Sequence, residues 1–347
     1  MIMNTQLSNV KTNIEDEEVM GMEMNAQLYS VLSDKMYTNP IQSIIREILS
    51  NAIDANIAAG VQKPVQVHFA NSVEPVFYIK DFGIGMTEEE IIKVFGTYGA
   101  SNKRNDNTQI GGLGLGAKTP FAYKENGRMF TVESCKNGIK STVVFYKNSK
   151  DLPCKKRLGT EPCDNDTGTQ VSFSVAEKDF SSFIRESVPV FLFAMQMPEI
   201  LGGVEKWLSA AGFNSLDDAM VVREYLKNTL DIPELSYYAD KKDYEEAGVP
   251  YEFKAFNRNV SSQFSNNMVA EMGGVPYDID LAQVFPDDIK TRDYVRRNRF
   301  KVLHFPIGSL DFQSSREKLN YTENTVNLLQ RELINLTLNT YREKVSA

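Results

Sequence analysis

Glu47, Asn51 and Asp54 lie four and seven residues apart in IREILSNAIDAN. On a helix those steps return to nearly the same face, within about one-sixth of the circumference. Ile44, Ile48, Ala52 and Ala55 fall on the neighbouring face, so the polar trio borders a core. Further on, DFGIGM sets Asp81 straight after an apolar run, with Gly83, Gly85 and Met86 behind it. Glycines let the backbone pass close to a flat ligand. An acceptor-only carboxylate can take the exocyclic amine of adenine, which guanine does not offer in the same place. GGLGLGAK, residues 111–118, then presents backbone donors unobstructed by side chains ahead of an expected helix, a combination suited to phosphate. In this order the residues describe a nucleotide site with its catalytic carboxylate, Glu47, on a helix and its phosphate grip on a loop. Each piece alone has a plainer reading: a solvated helix face, an ordinary turn, a glycine run that permits tight packing. The run lacks the GxxxxGK[ST] spacing of a P-loop, which disfavours that enzyme class.

The elements that must position these residues follow from patterning. A helix is predicted over residues 25–33 and a longer one over 41–59, with Pro40 at its start, where a missing donor does no harm, and Gly60 ending it. VQVHFA (65–70) and PVFYIK (75–80) read as strands joined by a turn. Thr87 with Glu90 three positions on forms a capping box for a short helix. The polar, glycine-containing loop from Thr97 to Gly111 is long enough to suggest a functional segment. Further strands are expected at 129–134, 141–146 and 168–175, then a helix from Phe180 towards Met195. Helices first and then strands joined by short turns predict an α+β sandwich on a mixed, mostly antiparallel sheet, not a doubly wound parallel sheet. The expected organisation is an arm over 1–22, a first domain over 23–199, a smaller α/β domain over 200–321 and a terminal helix over 322–347, capped by Thr322.

Bulk properties narrow the function classes. A chain of 347 residues suits two domains and two cores, since domains run to ~100–200 residues. The net charge of −8 argues against a general nucleic-acid coat but leaves a local basic groove open. The most apolar stretch, VPVFLFAMQM at 188–197, is about half of the ~20 residues a membrane-spanning helix requires and contains Pro189, so it reads as core and no integral membrane segment is expected. No secretory-signal pattern stands at the amino terminus, which suggests a cytoplasmic protein. Cys135, Cys154 and Cys163 are odd in number without CxxC spacing, and the histidines are His68 and His304 alone. Neither a structural zinc site nor a disulfide framework is expected.

ExxxNxxDA, DxGxG, GGxGxG and the Gly168-Thr169 pair, in this order, resemble the ATP site of the GHKL superfamily, the Bergerat fold shared by gyrase B, the ninety-kilodalton heat-shock chaperones, histidine kinases and MutL. The resemblance covers residues 25–198 or so. It implies that Glu47 is the general base for the attacking water and that Asn51 gives an oxygen to Mg²⁺. It further implies that Asp81 and Thr169 hold adenine, and that the run Gly112, Leu113, Gly114, Leu115 and Gly116 binds phosphate beneath a lid at 96–111. Asp54 either borders the adenine pocket or serves the fold. Lys103 and Lys118 occupy places suited to phosphate contact or to solvated surface. SRExL, within LDFQSSREKLNYT, resembles the loop that the heat-shock chaperones send from a second domain to the γ-phosphate, which would make Arg316 a charge-stabilising finger, with Lys318 competing for that role. Residues 200–321 would then act as a transducer.

Within the superfamily, YTNPIQSIIREILSNAIDAN, KDFGIGM and IGGLGLGAKTPFAY look like the phage RIIA lysis-inhibition proteins, which share the late SRE. Those proteins continue into a further carboxy-terminal region not present in these 347 residues. The narrower resemblance implies a phage protein acting in the bacterial cytoplasm on a host or phage partner, with peripheral membrane association left open. The expected function is an ATP-hydrolysing switch that closes as a homodimer, its polar first 22 residues a strap across the partner. The alternative is a regulatory module that holds adenine nucleotide without turnover. A histidine kinase is disfavoured, because neither histidine stands on a dimerising helix ahead of the site.

Overall fold

The computed structural model describes residues 25–98, 115–125, 128–163, 167–233, 235, 239–264, 267–296 and 299–346. Asn25 accepts from Leu28 N at 3.0 Å and opens a short helix α1 (Ala26–Ser30) that runs on as a π turn over Val31–Lys35. Asn39 caps α2 (Pro40–Ala58) by accepting from Gln42 N at 3.2 Å, and proline sits at its first position. Ile44, Ile45, Ile48, Leu49, Ala52 and Ile53 bury one side of α2. Beyond the hairpin β1 (Gln66–His68) and β2 (Val76–Lys80), the reciprocal capping box of Thr87 and Glu90 opens α3 (Glu88–Gly96) as the spacing predicts. Strands β3 (Met129–Lys136), β4 (Ile139–Lys147), β5 (Pro153–Pro162) and β6 (Gly168–Ser174) follow, then α4 (Phe180–Phe193) and β7 (Glu199–Gly202).

These strands form one seven-stranded sheet in the order β5-β4-β3-β6-β2-β1-β7, antiparallel except where β1 meets β7. Alternate residues Phe77, Ile79, Phe130, Val132, Val143, Phe145, Val171 and Phe173 are buried, so one face of the sheet is packed, against α2 and α4. The fold is the expected α+β sandwich. Val188–Phe193 of the apolar stretch are buried core, and no described helix is long and apolar enough to cross a membrane.

The rest of the chain builds a second, smaller mixed sheet. Helices α5 (Val204–Ala211) and α6 (Leu216–Asn228) lead to β8 (Asp231–Pro233), and α7 (Lys241–Glu246) and α8 (Phe253–Asn259) to β9 (Met268–Met272) and β10 (Val275–Asp278). Then come α9 (Leu281–Val284), α10 (Ile289–Arg296), β11 (Arg299–Phe305) and the terminal α11 (Glu323–Ser346). The sheet order is β10-β9-β11-β8, with β9 and β11 parallel. Two clusters of buried residues are present, and the larger crosses position 200: Trp207 stacks on Phe191 at 5.9 Å, and Phe193 meets Phe256 at 6.3 Å. Arg223 on α6 is 2% exposed and caps the carboxyl end of α4, donating to the carbonyls of Phe191, Leu192 and Ala194.

One expectation is overturned. Cys135 and Cys163 are joined as a disulfide, with Cα atoms 6.4 Å apart, and Cys154 remains a thiol. The pairing follows from register. The end of β3 and the residue after β5 lie on either side of the amino end of β4, where Cys163 N donates to Gly138 O at 3.0 Å. Cysteine spacing along the chain does not carry that information.

Candidate active site

At the centre of the site Glu47, 4% exposed on α2, faces a charge brought from far along the chain. Arg316, 7% exposed, donates from Nη1 to Glu47 Oε2 at 2.9 Å, a contact spanning 269 residues. On the other side of the carboxylate, Arg46 Nε stands 3.5 Å from Oε1. Arg46 also donates from Nη2 to the Ser315 carbonyl at 3.0 Å. Glu317 accepts from Thr38 N at 2.8 Å, Asn39 N at 2.7 Å and Ser43 Oγ at 3.0 Å. The SRE turn is therefore latched onto the amino end of α2. There Glu317 satisfies the two backbone amides just ahead of the helix, and its charge suits the positive end of the helix dipole. Arg316 adopts a left-handed backbone, φ 57°, within this turn.

Asp81, 7% exposed, stands at the end of β2. Its Oδ1 accepts from Gly83 N at 2.9 Å and Thr169 N at 3.0 Å, while Asp81 N donates to Thr169 O at 2.9 Å. Among the described residues nothing donates to Oδ2. Burial pushes the carboxyl up to about 6, against the pull of the Gly83 and Thr169 amides and the Lys80 charge. Ser134 on β3 ties the wall together: its Oγ lies 2.8 Å from Thr169 Oγ1, donates to Gly168 O at 3.0 Å and accepts from Met86 N at 2.8 Å. Gly85 has φ 69°, and a Cβ there would collide with the Cys135 carbonyl oxygen. Asn56 accepts from Phe82 N at 2.7 Å, binding the strand end to α2.

The phosphate side is described from Leu115 onwards. Lys103, Gly112, Leu113 and Gly114 lie outside the described residues, as does most of the 96–111 loop. Leu115 opens a 3₁₀ turn over Gly116–Ala122, accepting from Lys118 N at 2.9 Å. A Cβ on Gly116 would run into Glu47 Oε2, so a side chain there would displace the carboxylate. Lys118 is 1% exposed and donates from Nζ to the Val94 carbonyl at 2.6 Å. Burial lowers its pKa to about 8.

Asn51 and Asp54 are half-buried on the Glu47 side of α2, and Asp54 lines a small cavity with Arg46, Ser50, Met195 and Gly274. The single neutral oxygen of Asn51 beside Glu47 suits Mg²⁺ that arrives with a triphosphate and keeps phosphate and water as its other ligands. Among the described residues no group of three or more His, Cys, Asp or Glu side chains gathers as a metal cage. Lys318 lies beside the isolated bridge between Phe312 and Leu319, where its carbonyl accepts from Gln313 N at 2.9 Å, while Arg316 is the side chain that reaches Glu47.

Sequence reading missed Arg46, Glu317, Ser134, Asn56 and Tyr277 of this neighbourhood. Glu317 stood inside the SRE motif already singled out, whereas Ser134 and Tyr277 enter only through strand register.

With this geometry in view, residues 37–161 match the family described as histidine kinase-, DNA gyrase B-, and HSP90-like ATPase. The chain therefore carries a GHKL-type, nucleotide-binding ATPase domain. Among curated proteins it is similar to the chaperone protein HtpG of Chlorobium phaeovibrioides, 27% identical over 204 residues, which is 51% of this chain and 31% of that protein. The HtpG of Polaromonas sp. is 31% identical over 140 residues, covering 34% of this chain and 22% of the relative. The matched stretches thus span less than a third of these relatives' length. Both of these relatives are named as chaperones.

Proposed function

We propose that this chain is a Mg²⁺-dependent ATP-hydrolysing switch in which residues 200–321 act as the transducer. The observation that carries the reading is the buried contact between Glu47 and Arg316. Asp81 Oδ2 accepts the adenine amine, with Thr169 and Ser134 fixing the carboxylate from behind. Gly112, Gly114 and Gly116 take the phosphates, with Lys103 and Lys118 nearby, and Asn51 holds the cation. Mg²⁺ supplies neutralisation of charge on the β- and γ-phosphates.

The ion pair gives the switch its logic. In the pair Arg316 occupies Glu47 Oε2, and pulling one partner from a buried pair costs about 3–5 kcal/mol. A γ-phosphate offers Arg316 a replacement partner, so Arg316 can turn towards it and leave Glu47 to take a proton from the attacking water. The finger then offsets charge that develops on the transferred phosphoryl group. ATP hydrolysis by the purified chain, with nucleotide binding measured beside it, tests this. Glu47→Ala should retain binding and lose turnover; an unchanged rate in that variant sinks the assignment of the base.

The same pair supports a second reading, a module that binds adenine nucleotide without turnover and regulates a partner by its shape. Binding without hydrolysis in both chains would select it. The narrower likeness to RIIA proteins, with a host or phage partner and a cytoplasmic setting, rests on the quoted motifs.

A further inference from the structure

Tyr277 stands on β10 in the second sheet and is fully buried, 0% exposed. Its ring stacks on Phe312 with centroids 6.1 Å apart and planes 13° from parallel. Phe312 also carries the Arg316 guanidinium over its face, 5.7 Å from the ring centroid. The charged side chains around the Tyr277 hydroxyl are Arg316, Arg46 and Glu47, the three that make up the central cluster of the site. The Arg316 guanidinium is the side-chain partner nearest this hydroxyl, yet among the described residues no hydrogen bond of good geometry joins the two. Burying such a group without a well-aligned partner is costly. Phenylalanine would fill the same space and keep the same stack without that cost, so the hydroxyl calls for a use.

We propose that Tyr277 is a positioning residue for Arg316: its phenolic oxygen accepts a guanidinium N–H when Arg316 leaves Glu47, and so holds the finger in its working geometry. This inference rests on the ATPase reading above. The donor and acceptor types match, because a guanidinium has five N–H donors and no acceptor, while a phenol oxygen can accept and keep its own proton. The timing matches too. Once a γ-phosphate draws Arg316 off Glu47, the guanidinium loses the carboxylate that held Nη1 at 2.9 Å and needs a new acceptor to fix it. The phenol oxygen lies within the same buried cluster and sits on a strand of the sheet. Phe312 fixes its ring from one side, so the acceptor is in place before the reaction begins. No bond to Tyr277 forms or breaks, and its hydroxyl stays protonated throughout.

Steady-state ATP hydrolysis by the full chain, with nucleotide affinity and thermal unfolding measured separately, tests the assignment. Tyr277→Phe should lower kcat about tenfold, leave KM and nucleotide affinity within about twofold, and leave the melting temperature unchanged or raised. The doubly substituted Tyr277→Phe, Arg316→Ala chain should be no slower than Arg316→Ala alone, because the hydroxyl acts only through the guanidinium. The inference is overturned by a Tyr277→Phe chain with normal kcat, by a loss that multiplies with that of Arg316→Ala, or by a kcat loss that merely follows a lowered melting temperature. Absence of turnover in the unaltered chain would have a different signature, removing the ATPase reading and this inference together.

Discussion

Asp81 is where a single proton should report on the ligand. Between 3.8, the usual carboxylate value, and about 6 the folded chain keeps a proton that the unfolded chain has released. The folded state binds more protons over that window, so Asp81 makes folding less favourable as pH rises through it. An adenine amine works in the opposite direction: it donates to the carboxylate, favours ionisation and draws the pKa back down. Nucleotide binding near pH 6 should therefore release a proton at Asp81, and affinity should fall by up to about tenfold per unit as pH drops below that value. ATP has a titrating phosphate of its own, so the comparison to make is with Asp81→Asn, by calorimetry across pH 5 to 7 in buffers of different ionisation heat. Asp81→Asn should bind about 10–100-fold more weakly, the loss of a hydrogen bond to a charged acceptor, and the part of the pH step due to Asp81 should vanish. Superimposable pH profiles for the two chains would refute this role.

At the scale of elements, the SRE turn and the amino end of α2 behave as one unit because Glu317 joins them by three hydrogen bonds. Glu317→Ala should cost about 1–3 kcal/mol in urea unfolding and slow ATP turnover more than tenfold, since misplaced charge at a reacting centre loses much of its effect. Glu317→Gln, which can still accept, should recover part of both. A Glu317→Ala chain with the normal rate would show that Arg316 is placed by other contacts. The disulfide makes a separate element-level prediction. Cys135 and Cys163 close a span of 28 residues next to the adenine wall, so Cys163→Ser should lose about 3 kcal/mol of stability whereas Cys154→Ser should not; equal stability in both variants would contradict this. How much of all this was legible in the chain depends on range. The α2 face, the Thr87 capping box and the strand carrying Asp81 are local patterns and read directly. Strand β5 did not, because Lys155, Lys156 and Arg157 lie exposed on a sheet edge and show no alternation, the kind of charge that protects edges from pairing with other chains. Likewise Glu317, Ser134, Tyr277 and the cysteine pair acquire their meaning from residues 28 to 279 positions away, where neither propensity nor period carries information.

For the whole molecule, what matters is that Glu47 and Arg316, the proposed base and finger, meet within one chain. Arg316 reaches Glu47 without a second copy, and the larger core runs unbroken from the first sheet to Phe256 and Phe300 of the second half. Chemistry and dimerisation should then be separable. If ATP drives two chains together, each brings its own finger, and association would gate an output rather than complete the site. Specific ATPase activity should change less than about twofold as the chain is diluted from a dimeric to a monomeric range, because a unimolecular step gains nothing from a partner that contributes no reacting group. Sedimentation with a non-hydrolysable ATP analogue would fix that range, and turnover would be measured across it. A rate that falls in step with the dimer fraction would contradict the single-chain site, and would mean that the arm at 1–22 or the lid is completed from the partner. A constant rate with ATP-dependent association would instead place the switch's output at the dimer contact, where hydrolysis in each chain sets how long the pair stays together.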